Sequence, residues 1–124
     1  MGDGEQRLSA LISQLKAAED GSEDLDVGIT HCLSLFVRQA PELSAILAHT
    51  AASPMFTRSV DQALLLIPAG VWWNLQHFAG PTGSGQETYR ATITMPEMIQ
   101  SISGIAPTPA LALCIAGLEA LKPA

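Results

Sequence analysis

With 124 residues, 48% of them hydrophobic and only 15% charged, the chain has the length and apolar content of one domain around a single core. Its formal charge is −6, and its six basic residues stand singly at Arg7, Lys16, Arg38, Arg58, Arg90 and Lys122. Nucleic-acid binding is therefore not expected, because a phosphate backbone is neutralised by clustered cations, and the same scatter argues against a polybasic membrane anchor. No stretch approaches the roughly 20 apolar residues of a membrane span, and the N-terminus lacks a basic region followed by an apolar run, so a cytoplasmic protein is expected.

Residues 1–4 are expected to be loose, as chain ends are. Leu8, Leu11, Ile12 and Leu15 keep helical spacing and predict an amphipathic helix over residues 5–19, with Arg7, Gln14 and Lys16 on its wet side and Gly21 after its end. Ser22 offers the next N-cap, Glu23 and Asp24 complement the positive helix end, and Leu25, Ile29, Cys32, Leu33 and Phe36 form the apolar stripe. The acidic run from Glu19 to Asp26 then reads as first-turn chemistry plus a solvated face, rather than as an acidic binding patch. Pro41, Leu43, Ile46 and Leu47 predict a short third helix ending before Ser53 and Pro54. Ser59 with Gln62 makes a capping box ahead of Val60, Ala63, Leu64 and Ile67, and Pro68 with Gly70 halts that helix.

From Val71 the period changes to two. Val71, Trp73, Leu75 and His77 alternate with Trp72, Asn74, Gln76 and Phe78, and this aromatic, β-branched content predicts a strand. Residues 79–86 form a Gly-rich loop, after which Tyr89, Ala91, Ile93 and Met95 alternate with Thr88, Arg90, Thr92 and Thr94 as the second strand of an antiparallel hairpin. Residues 96–105 fit either a short helix using Met98, Ile99 and Ile102 or an irregular connection, and a third short strand between Pro96 and Pro107 stays open. The stretch TPALALCIAGLEAL then specifies a helix: Thr108 caps it, Pro109 opens it, and Leu111, Cys114, Ile115, Leu118 and Leu121 form its stripe. Ala110, Ala112, Leu113 and Ala116 make its other faces apolar, so it is expected to be buried on more than one side. The fold class expected is α+β over a single domain, residues 1–124, with helices packed on a small antiparallel sheet in a layered α/β/α sandwich.

Trp72 and Trp73 admit two readings. Neighbours on a strand point to opposite faces, so helices over both faces would bury both indoles, which is the favoured expectation. With one face open, one Trp is displayed and, joined by Phe78 and Tyr89, makes a contact or ligand surface.

Reactive constellations are not evident. His31, His49 and His77 lack metal-ligand spacing with each other or with Cys32 and Cys114, so no metal is expected, and both cysteines are expected to be buried thiols. Ser84, flanked by glycines, lacks the strand and helix of a nucleophile elbow, and Gly80 to Gly85 lacks the Lys of a phosphate loop; no cofactor and no catalysis are expected. A helix, antiparallel strands and an alanine-leucine-rich last helix also describe double-stranded RNA binding domains. Those place cations where this chain has Thr108, Pro109 and Ala110.

Three blocks together resemble the small phage and prophage proteins grouped as the phage α/β/α sandwich domain. They are Gly21 to Asp26 opening a helix, the run Phe56 to Leu64 continuing to Trp73, and Thr108 to Leu121. The match covers about half the chain, and residues 38–55 include an insertion relative to the shorter pattern. The resemblance implies phage or prophage origin in a bacterial host and helix and sheet layering; it brings no catalytic residues. The function expected is a non-catalytic accessory protein acting through contacts with a phage or host protein, or with itself. The rival reading is a small-molecule-binding or enzymatic domain with a cleft near the Trp strand and the Gly-rich loop.

Overall fold

The computed structural model describes residues 3–68, 70–79, 87–94 and 101–121. Five helices, α1 (Asp3–Ala17), α2 (Glu23–Leu35), α3 (Leu43–Thr50), α4 (Val60–Leu64) and α5 (Pro109–Leu121), accompany three strands, β1 (Trp72–Ala79), β2 (Glu87–Thr94) and β3 (Ser101–Ala106). This is the expected α+β class.

Polar side chains start the helices where the sequence placed them. Leu25 N–H donates to Ser22 Oγ at 3.2 Å, Gln62 N–H to Ser59 Oγ at 3.3 Å, and Leu111 N–H to Thr108 Oγ1 at 3.2 Å, each satisfying a first-turn amide that has no partner within its helix. Only half of the expected box at Ser59 forms. The Gln62 side chain turns away to accept from Met55 N–H at 2.6 Å and donate to Ser53 carbonyl at 3.0 Å, tying the loop before α4 to the helix. Part of the inserted stretch forms α3, which packs on α2.

The sheet is an antiparallel meander in the order β1-β2-β3. Trp72 pairs with Thr94, Leu75 with Ala91 and Ala79 with Glu87, and Ala91 in turn faces Gly104 on β3. The described part of residues 96–105 is strand rather than helix or irregular chain. Met98 and Ile99 lie outside the described residues, and Ile102 sits in β3 opposite Ile93. A third strand completes the sheet, which a lone hairpin could not do stably.

One face of the sheet carries α5, which lies on β2 and β3 and is backed by α1 and α4; α2 packs on α1. Residues 110–118 are buried without a break, because α5 has the sheet on one side and helices on the other. Burying its leucines and Ile115 contributes about 1.5–3 kcal/mol per side chain, and this inner layer is the main core. The approach to the sheet is close at Gly104, where a Cβ would stand 2.5 Å from Ala112 O and 2.8 Å from Ile115 Cβ.

No described helix covers the other face of the sheet. The expectation that both indoles are buried is therefore corrected: Trp72 is 78% exposed and Trp73 47% exposed. The cause is that the helices collect on the α5 side, and α5 lies over β2 and β3 while β1 has substantial contact with β2 alone.

Candidate contact surface

Because side chains alternate along a strand, the register assigns every strand residue to a face. Trp73, Leu75, His77, Tyr89, Ala91, Ile93, Ile102, Gly104 and Ala106 share the helix side; Ala91, Ile93 and Ala106 are buried there. Trp72, Asn74, Gln76, Phe78, Thr88, Arg90, Thr92, Thr94, Ser101, Ser103 and Ile105 share the open side.

The four aromatic residues singled out from sequence thus divide two and two. Trp72 and Phe78 stand at opposite ends of β1 on the open face. Trp73 and Tyr89 belong to the helix side, where Tyr89 stacks on His77 with ring centroids 4.8 Å apart and planes at 24°. Trp73 lies beside Ile93 on that side, half in solvent because α5 does not reach over β1.

On the open face, Phe78 is 40% and Ile105 50% exposed, and the Arg90 guanidinium carbon lies 5.2 Å from the Phe78 ring centroid. That separation is within cation–π range, so the cation holds the ring in place. Thr92 and Ser103 hydroxyls meet at 3.4 Å, and Thr94 and Ser101 at 3.2 Å, fixing short polar side chains between the strands. A shallow depression of about 270 Å³ lies among Trp72, Trp73, Asn74, Thr92 and Thr94. The result is one large exposed indole above a flat, hydroxyl-bearing sheet with an aromatic-cation pair at the far end. Arg90 and Ile105 are members that the sequence reading did not single out; the alternation had put Arg90 with the threonines, and pairing β1 to β2 puts that same side under Trp72.

The Gly-rich loop invoked for a cleft beside the Trp strand lies outside the described residues except for Ala79. A larger cleft, about 640 Å³, lies elsewhere, between α3, residues 65–68 and the end of α5; Leu43, Ile46, Leu66 and Leu121 line it, and Glu42 is the one ionisable residue among the described residues of its lining. Among the described residues, no group of three or more His, Cys, Asp or Glu side chains could hold a metal.

Neither thiol is primed as a nucleophile. Burial pushes Cys32 up from its ordinary 9.0, with Arg7 offsetting part of the rise, and burial pushes Cys114 much further, reinforced by the Asp26 carboxylate. Cys114 Sγ instead donates to Phe56 carbonyl at 3.1 Å.

The solvated-face reading of the acidic run holds for Glu23 and Asp24 and is corrected for Asp26, which is 0% exposed. Its Oδ1 accepts from Thr57 N–H at 2.7 Å and Thr57 Oγ1 at 2.6 Å, and its Oδ2 accepts from Arg58 Nε at 2.7 Å. Thr57 Oγ1 also accepts from Ser22 N–H at 3.0 Å. The cluster locks the start of α2 to residues 57–58, and with every oxygen engaged its role is structural.

No protein-family model, curated protein or solved structure matches the chain.

Proposed function

We propose that this is a non-catalytic protein that works by protein–protein contact, with the open sheet face as its contact surface. The observation that carries the reading is Trp72, 78% exposed on a strand that pairs with β2 along its whole length. Leaving an indole in water forgoes about 2 kcal/mol of burial, a cost that a partner's surface would recover. Trp and Arg are the residue types that most often dominate interface energetics, and here Trp72 and Arg90 share one face with Phe78 and Ile105. Thr92, Thr94, Ser101 and Ser103 add hydroxyls beside Trp72 on that face.

The absence of an activated thiol at Cys32 and Cys114, and the plain apolar lining of the larger cleft, favour contact over chemistry. Phage or prophage origin and a cytoplasmic setting in a bacterial host belong to the same proposal, and the origin rests on the three sequence blocks. The test is affinity capture from extracts of the cells that make the protein, comparing the wild-type chain with Trp72→Ser. Proteins retained by the wild type and lost with the variant are the expected outcome. Identical retained sets would remove the open face from the account.

A further inference from the structure

We infer that β1 is the seam of a homodimer, in which two copies pair their β1 edges antiparallel to make a continuous six-stranded sheet. The inference goes beyond the contact reading above: it concerns the outer edge of β1, leaves the open face free, and takes a second copy of this chain as the partner.

Among the described residues, no strand pairs with the outer edge of β1. Soluble proteins blunt exposed edge strands with Lys, Pro, bulges or inward charges, because unpaired N–H and C=O groups accept any strand that arrives. Residues 72–79 read WWNLQHFA and contain no charged residue and no proline. Their register with β2 runs through eight consecutive pairs without a bulge. The opposite edge strand, β3, is two residues shorter.

The edge is also self-complementary. A two-fold axis normal to the sheet keeps both open faces on one side, so residues of like parity must oppose each other; the outward hydrogen-bonding groups of the two edges require the same. With the axis at Leu75, Trp72 meets the partner's Phe78, Trp73 meets the partner's His77, Asn74 meets the partner's Gln76, and Leu75 meets the partner's Leu75. Each position faces a side chain of its own kind: aromatic on aromatic, indole on imidazole, amide on amide, leucine on leucine. Cross-strand pairs of this type are the units that stabilise sheets.

Area and charge are compatible with this seam. Trp72, Trp73 and Phe78 together leave about 400 Å² per chain in water, and edge pairing covers the sides of these residues that face the partner strand. The strand backbone, Asn74 and Gln76 add the polar remainder. Although each copy carries −6, β1 itself is uncharged, so no like charges lie on the paired strands.

The decisive experiment is sedimentation equilibrium of the full chain with charge-swapped pairs at two exposed positions, Asn74 and Gln76. Wild type is expected at twice the 13.0 kDa of one chain. Asn74→Lys/Gln76→Lys and Asn74→Glu/Gln76→Glu each put four like charges together across the seam, and each is expected to weaken the dimer at least about tenfold. Mixed, the two variants are expected to restore a dimer with one chain of each, because position 74 then opposes an opposite charge at position 76. That rescue also shows that both variants fold. A wild type that stays monomeric, or a dimer indifferent to both variants, overturns the seam. If that monomer still retains a protein lost with Trp72→Ser, the contact reading survives without the homodimer; if it retains none, both fall.

Discussion

Asp26 makes the most demanding contribution of any single side chain here. A carboxylate at 0% exposure is tolerable only with its hydrogen bonds made, and Thr57 and Arg58 supply them, although Arg58 is itself 39% exposed. Asp26→Ala strands the Thr57 amide and removes the carboxylate that Arg58 Nε donates to, so a loss of about 3–5 kcal/mol is expected from urea denaturation, a large share of the roughly 5–15 kcal/mol typical of a domain. Cys114 gives a second prediction, in pH. Its thiol is held above 9.0 in the fold, so its contribution is complete below that unfolded-state value and declines as pH rises past it. Wild type should therefore lose stability between pH 8 and pH 10 that Cys114→Ala does not lose, a difference on the order of 1 kcal/mol. Part of this was legible from sequence. Asp26 lies three residues before Ile29 and seven before Leu33, so helical spacing alone places it on the apolar stripe of α2; its membership of an acidic run hid that position. The Thr57–Arg58 partners were not legible, because they lie about thirty residues away and depend on how the loop before α4 folds.

Among the elements, α5 was read in full from TPALALCIAGLEAL: cap, first-turn proline and all-round apolarity each correspond to a feature of the structure. Helix signals are local, and so were the Ser22 and Ser59 caps. Strand readings were equally sound in period, but β3 stayed only an open alternative because Ser101, Ser103 and Gly104 dilute its alternation. Gly104 is there for proximity, since α5 rests on its backbone. Gly104→Val drives a branched side chain into Ala112 and Ile115 and is expected to cost about 1–3 kcal/mol, or more if α5 lifts from the sheet. Faster amide exchange along α5 with unchanged exchange in α2 would be the signature; unchanged stability would show that the helix-sheet contact is looser than described.

For the molecule as a whole, sheet, inner helix and outer helices stack so that every described helix lies on one side, and the remaining sheet face is left to something else. Which face is open was decided by register and helix placement, neither of which a single sequence carries, so the four aromatic candidates could be named but not sorted. The alternation of Thr88, Arg90, Thr92 and Thr94 did hold the answer in part: it marked a wet side of β2, and pairing that side with Trp72 and Phe78 identifies the indole on display. The measurement that tests this contact surface most directly is quantitative capture with the wild type, Trp72→Ser and, as a control, Val27→Ser, which removes another exposed apolar side chain but on α2. Trp72→Ser is predicted to weaken retention of the bound protein by about 30-fold, as loss of a central anchor does, with Val27→Ser equal to wild type. Equal retention by all three chains would contradict the claim that the open sheet is the contact surface.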